Sequence, residues 1–251
     1  MSGHSKWKTI QHKKAATDAR RGKMFTRLAR EIVIAAREGG GDPEVNFGLR
    51  LAMDKAKAAN MPKDNIERAV KRGTGELKGD ELFEVMYEGY APNGVALLVK
   101  VLTDNKNRTV SEVRRVFTRL GGSMADAGAV AWQFERKGYV AIAPDGIDQD
   151  TIFEVAVEAG ADDVLFSDDM IEVLAQVENF QSVRQALQDA GINVETAELS
   201  MLPKQTMQLD EKETLQVMNV IDALEELDDV QQVFSNLEIS DEILSKYEAE
   251  S

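Results

Sequence analysis

The chain is 251 residues long, 43% hydrophobic and 29% charged, with a formal net charge of −14. That is room for one large domain or two to three small ones, with enough apolar residues for real cores. It has no cysteine, which excludes disulfides, a thiolate zinc site and a cysteine nucleophile and makes a reducing cytoplasm the default, and no run approaches the roughly 18 apolar residues of a membrane-spanning helix.

The first 37 residues carry ten Lys or Arg (Lys6, Lys8, Lys13, Lys14, Arg20, Arg21, Lys23, Arg27, Arg30, Arg37) against Asp18 and Glu31, a local charge of +8 on an acidic protein. Two readings compete: a polyanionic partner such as nucleic acid, or a basic helix that pairs with the acidic remainder of the same chain. Charge continues to divide the chain, with +9 over residues 1–75, −1 over 76–128, −12 over 129–203 and −10 over 204–251. The two acidic blocks repel phosphate and are unsuited to be a nucleic-acid surface.

Residues 2–21 hold little apolar content beyond Trp7, Ile10 and scattered alanines, which predicts a mobile arm that orders on a partner. From Lys23 to Arg37 the period is helical. Phe25, Leu28, Ala29, Ile32 and Ala36 share one face, and Lys23, Arg27, Arg30 and Arg37 the opposite one, with Ile34 out of place on the basic side. Three glycines from Gly39 stop this helix. Asp42 and Pro43 read as N-cap and first position of a second helix reaching Ala59. Pro62 opens a third, ending in Lys71, Arg72 and Gly73 with cations at the negative end of the dipole. The Gly-rich stretch from Gly73 to Asp80 reads as a linker.

Beyond it the period changes. Phe83 to Tyr90 and Val95 to Leu102 read as strands joined by a turn. A helix follows with Thr109 and Glu112 at capping-box spacing and Val113, Val116, Phe117 and Leu120 as its buried face. Arg115 and Arg119 lie opposite that face. Lys106 and Arg108 precede its start, where free N–H groups favour an anion; Asn105, Asn107 and Arg108 are equally read as plain turn and capping residues. Ala129 to Phe134 and Tyr139 to Ala143 read as a hairpin about Arg136-Lys137-Gly138. Next come a helix through Phe153, Ala156 and Val157, two strands, a helix through Val183, Ala186 and Leu187, and a strand ending near Met201. Without the first hairpin strand this is the β-α-β-β-α-β order of a split βαβ sandwich. A strand (Gln205 to Leu209), a helix (Glu211 to Leu227) and a strand (Val230 to Leu237) complete the pattern.

The last three elements and the two strands and helix after residue 78 are each too few for a domain. Together they predict one discontinuous domain of residues 78–128 and 204–244, interrupted by an acidic domain of 129–203 and preceded by a basic arm and helical domain of 1–77. No catalytic constellation emerges. His4 and His12 sit in the basic arm with no carboxylate cluster beside them, which disfavours a metal site. The acidic pairs Asp162-Asp163, Asp168-Asp169 and Asp228-Asp229 fall at turns, where Asp is common for backbone reasons. The expectation is a protein with no cofactor, no metal and no catalytic residues.

Four stretches carry a family resemblance: GHSKWKTIQHKKAATDARRGKMFTRLAREI, ANMPKDNIERAVKRGTG, YEGYAPNGVALLVKVLTDNKNRTVSEVRRVF and VQQVFSNLEI. The chain resembles, over nearly its full length, the YebC/PmpR family, which includes bacterial probable DNA-binding transcriptional regulators and a mitochondrial translational activator of cytochrome c oxidase. The resemblance implies an α+β multidomain fold, a helical N-terminal domain followed by two ferredoxin-like α/β domains, the third inserted into the second. It implies a cytoplasmic, non-enzymatic regulator that binds DNA. The alternatives are a ribosome-associated translation factor that binds rRNA or tRNA and aids difficult sequences such as proline runs, and an interaction scaffold meeting protein through its acidic domains. The basic positions lack the short base-reading helix of a helix-turn-helix and suit phosphate contact. The candidate nucleic-acid-binding residues are Lys6, Lys8, Lys13, Lys14, Arg20, Arg21, Lys23, Arg27, Arg30, Arg37, Lys106, Arg108, Arg115 and Arg119.

Overall fold

The computed structural model describes residues 18–144, 146, 148–167, 170–240 and 242–244, with side chains from Arg21 onward. The chain divides into two compact units. One comprises the chain up to Trp132 together with Thr206 onward, the other Gln133–Gln205.

The described part of the first unit opens with three helices, α1 (Asp18–Gly39), α2 (Phe47–Ala58) and α3 (Lys63–Gly73). Their apolar stripes meet in a core of Leu28, Ile32, Ala36, Leu49, Ala52, Ala56, Met61, Ile66 and Ala69. α1 begins at Asp18, so the last turn of the expected arm is helix; the arm before it, with His4 and His12, lies outside the described residues. α2 begins at Phe47 rather than Pro43, because Asp42 accepts from the Glu44 N–H in a turn of its own. The N-cap is the buried Asn46. Its Oδ1 accepts from Leu49 N at 3.0 Å while its Nδ2 donates to Ala35 O and Gly40 O at 2.8 and 2.7 Å, tying the end of α1 to the start of α2. Gly73 lets α3 touch α1, since a Cβ there would meet Val33 O at 2.5 Å.

The sheet of this unit contains β1 (Phe83–Tyr90) and β2 (Ala96–Thr103), antiparallel with Phe83 opposite Thr103. Between them Asn93 and Gly94 take positive φ in a tight turn. After α4 (Lys106–Arg119) a short strand, β3 (Ser123–Ala125), returns to the outer edge of β1. Helix α4 is capped by Asn105, whose side chain accepts from Arg108 N, and not by Thr109, which is buried.

The chain re-enters this unit with β8 (Met207–Gln208), α7 (Glu211–Glu225), β9 (Val230–Ser235) and β10 (Leu237–Glu238). Strand β9 pairs antiparallel with β2, giving the order β3-β1-β2-β9. The segment expected to complete the sheet, around Gln205 to Leu209, does not join it: β8 pairs parallel with β10 in a separate ribbon. The element order is therefore not the split βαβ expected for this part of the chain. Both helices bury their apolar stripes, Val113, Val116 and Phe117 from α4 and Val217, Met218, Ile221 and Leu224 from α7, with Leu97, Val99 and Val101 of β2. A capping box of Asp210 and Glu213 starts α7.

The second unit runs β4 (Phe134–Ile142), α5 (Gln149–Glu158), β5 (Ala161–Phe166), β6 (Ile171–Ala175), α6 (Phe180–Asp189) and β7 (Val194–Pro203). All its pairings are antiparallel, in the order β5-β6-β4-β7, the split βαβ arrangement of a ferredoxin-like sandwich. The expected hairpin about Gly138 is absent. β4 is one continuous strand, and Gly138 is there because the Phe180 ring packs onto it, a Cβ meeting that ring at 2.4 Å. On α5, Ile152 and Ala156 are buried while Phe153 and Val157 are exposed, the reverse of the expectation for the two larger side chains.

Candidate nucleic-acid interface

Among the described residues, the candidate residues do not form one surface. Lys6, Lys8, Lys13 and Lys14 lie outside the described residues, as does the side chain of Arg20; Arg21 is exposed in the first turns of α1. Lys23, Arg27, Arg30 and Arg37 follow one another on α1 in steps of three and four with Ile34 between them, a single stripe. The stripe is docked inside the first unit. Lys23 Nζ donates to Glu226 O and pairs with Asp228 at 3.3 Å; Arg27 donates to Glu225 O and Leu227 O. These carbonyls stand at and just beyond the C-terminus of α7, where unpaired C=O groups and the dipole attract cations. Arg30 Nη1 reaches Asp228 O at 2.8 Å and Asp229 Oδ1 at 3.0 Å, and Arg37 Nη1 reaches Leu82 O at 2.6 Å. Ile34 is 5% exposed. It fits this stripe because the part from Lys23 to Ile34 is half-buried or buried; only Arg37 beyond it is exposed. Lys23, Arg27 and Arg30 thus pair with acidic and carbonyl groups of their own chain, as the second of the two readings of the basic segment has it, while Arg37 keeps an exposed side chain.

Asp229 is the centre of this contact, and reading it as an ordinary turn acid misses it. It is 2% exposed. Its Oδ2 accepts from Arg108 Nη2 at 2.7 Å, Thr109 Oγ1 at 2.6 Å and Thr103 Oγ1 at 2.9 Å, while Oδ1 faces Arg30. Burial alone drives its pKa upward, but the bonds from Arg108, Thr109 and Thr103 and the Arg30 charge outweigh it and leave the carboxyl below its usual range. Arg108 is held above its usual value by its bonds to Asp229 and Asp104. Arg27 is held below its own, chiefly by burial, against the pull of Glu225, Asp228 and Glu31. The anion expected beside Arg108 is thus supplied by Asp229 and Asp104. Lys106 lies 4.2 Å from the centroid of the Phe83 ring, a cation–π contact.

The outer side of α4 is open to solvent. Arg114, Arg115 and Arg119 are exposed and make no ion pair or hydrogen bond among the described residues. With Ser111 and Thr118 they line a shallow open groove of about 520 Å³. Arg115 and Arg119 are expected from the helical period. Arg114 is the addition, one step round the helix, and a wider arc opposite Val113, Val116 and Phe117 would have included it. Two like-charged neighbours one turn apart, Arg115 and Arg119, repel by about 0.2–0.5 kcal/mol, a cost that a bound polyanion removes. Lys71 and Arg72, in the last turn of α3, are also exposed.

Among the described residues no group of three or more His, Asp or Glu is placed to hold a metal ion, and no helix is long and apolar enough to cross a membrane.

Residues 5–76 match the family described as TACO1/YebC protein N-terminal domain, and residues 82–237 match TACO1/YebC second and third domain. A probable transcriptional regulatory protein of Geobacter sulfurreducens is 53% identical over 246 residues, covering 98% of this chain and 99% of its own length. One from Dehalococcoides mccartyi is 50% identical over 251 residues, covering both chains completely. The crystal structure of a conserved hypothetical protein from Aquifex aeolicus superposes with a TM-score of 0.83 at 47% identity, covering 90% of this chain and 94% of that one. With both family descriptions matched in sequence order and full-length relatives near half identity, the chain belongs to the TACO1/YebC family.

Proposed function

We propose that this chain is a non-enzymatic regulatory protein that binds nucleic acid through the outer face of α4, as a DNA-binding transcriptional regulator. The observation that carries this reading is the groove of Arg114, Arg115 and Arg119, three exposed guanidinium groups without an ion pair among the described residues of a protein of net charge −14. The names of the relatives, probable transcriptional regulatory proteins, supply the regulatory part. Lys6, Lys8, Lys13 and Lys14 of the N-terminal stretch add sequence-independent phosphate contacts. Lys23, Arg27, Arg30 and Arg108 contribute indirectly, by fixing α1 against α7 and the start of α4, and Arg37 by tying the end of α1 to Leu82. The acidic unit of residues 133–205 turns toward protein partners, and the compartment is the cytoplasm. The three-domain division, 1–77, 78–128 with 204–244, and 129–203 inserted, belongs to the same proposal.

The test is binding of a labelled DNA duplex as a function of salt. The wild type should lose affinity with a log–log slope of about −0.9 per phosphate neutralised. The triple variant R114E/R115E/R119E should bind at least about tenfold more weakly with a slope shallower by about three contacts. Unchanged affinity in that variant sinks the reading. A second reading, rRNA or tRNA as the target, is favoured by one feature: the groove offers arginines and two hydroxyls but no Asn or Gln to read adenine edges. Co-sedimentation with ribosomal particles before and after nuclease and salt washes separates the two.

A further inference from the structure

On α5 the two faces divide by the helical period, with Ile152 and Ala156 fully buried and Phe153 and Val157 outside at 48% and 46% exposure. Among the large exposed apolar side chains of the described residues, these two are the pair that shares an α-helix. They stand four positions apart and so are neighbours on its surface. One step round the helix lies a second row at the same spacing, Asp150, Glu154 and Glu158. All three are exposed, and their carboxylates make no ion pair or hydrogen bond among the described residues. No Lys, Arg or His occurs between Lys137 and Arg184, and Lys137 is already paired with Asp162 and Glu135. For the chain alone this row is unfavourable. Like charges four positions apart repel, and Glu158 ends α5, where the dipole disfavours an acid.

An apolar pair flanked by a row of carboxylates is the complement of a helix that carries apolar side chains on one face and Lys or Arg beside them. Nucleic acid does not fit, since the carboxylates repel phosphate. A second copy of this chain is disfavoured as well. In a two-fold contact the same patch faces itself, which sets Asp150, Glu154 and Glu158 against their own counterparts in molecules that each carry −14. We propose that the Phe153–Val157 face of α5 docks a basic amphipathic helix of a partner protein, with Phe153 and Val157 anchoring its apolar side chains and Asp150, Glu154 and Glu158 its lysines or arginines. The proposal rests on the reading that the acidic unit turns toward protein partners, and gives that unit a docking face and its partner a chemistry.

The test is fluorescence anisotropy of the full-length protein with a labelled synthetic peptide of Leu and Lys alone, patterned to place every leucine on one helical face, beside a scrambled peptide of the same composition. The wild type binds the patterned peptide at least about tenfold more tightly than the scrambled one, because only the first presents an apolar face. F153Q/V157Q, which keeps charge and helix propensity, loses at least about tenfold, as expected for a truncated aromatic anchor, and E154K/E158K loses as much. E178K/E195K makes the same charge change at exposed acids outside α5 and loses no more than about threefold, since charges beyond a Debye length are screened. Equal affinity of F153Q/V157Q and wild type for the patterned peptide overturns the docking face and leaves the protein-partner reading standing, the peptide then binding elsewhere on the acidic surface. Equal affinity of the wild type for both peptides, or equal losses in the two charge variants, also overturns it. A wild type that binds neither peptide overturns both readings. The melting temperature of F153Q/V157Q stays at the wild-type value; a clear fall shows the pair packed within its own chain and overturns the proposal too.

Discussion

At Asp229, four donors from three parts of the chain converge on one buried carboxylate. Removing the carboxylate leaves Arg30 and Arg108 facing a void, and truncating one partner of a buried, hydrogen-bonded ion pair typically costs about 3–5 kcal/mol. D229A should lower stability by that amount in urea unfolding, and D229N by less. Because the folded pKa is lowered, the contribution is present above the unfolded carboxyl value of about 3.9 and disappears as pH falls from there through the folded value. Stability below about pH 4 should therefore fall more steeply in the wild type than in D229N. Glu88 obeys the same sign, its folded pKa being lowered too. E88A should cost about 1–3 kcal/mol and accelerate hydrogen exchange at Gly128, Val130 and Ala131, the N–H groups it holds.

At the scale of the element, two basic helices of similar appearance have opposite fates. On α1 Lys23, Arg27 and Arg30 meet the C-terminus of α7 and the acids after it, and Arg37 meets Leu82 O, whereas on α4 the stripe of Arg114, Arg115 and Arg119 meets solvent. Arginine substitutions should thus separate cleanly. R27A/R30A should reduce thermal stability and expose the α1 region to protease. R114E/R115E/R119E should leave the melting temperature unchanged or slightly raised, since like-charge repulsion is relieved. Helix α5 offers the matching apolar contrast. V157T on its exposed face should change stability by no more than about 0.5 kcal/mol, while I152A in its buried face should cost about 2–5 kcal/mol, both read from denaturant midpoints at constant m-value.

For the whole molecule, the β-α-β-β-α-β unit closes its own core of Ile142, Ile152, Ala156, Ile171, Val173, Phe180, Val183 and Leu187, and its sheet needs no strand from outside. Residues 133–205 expressed alone should fold, giving dispersed amide resonances and a cooperative melt; collapse to an unfolded fragment refutes this. The first unit instead draws its sheet from both sides of that segment, β1 to β3 before it and β9 after it. Pairing β2 with β9 over such a separation makes its formation the slower event.

The sequence by itself determined what local periodicity and charge encode. Helices α1, α3, α4, α6 and α7, strands β1 and β2, and the order of elements in the acidic unit follow from apolar spacing, caps and glycines. Arg115 and Arg119 follow from the helical period. The motifs were long enough to point to the family. Tertiary structure alone decided which of two equally basic stripes is open. A cation's availability depends on whether a carbonyl or carboxylate remote in sequence reaches it, as Glu225 and Asp229 reach Arg27 and Arg30. It also decided that β3 rather than β8 completes the first sheet, that Gly138 lies mid-strand beneath Phe180, and that Asp229 gathers four donors. Each of these depends on contacts between residues far apart in the chain, which spacing within one element does not encode.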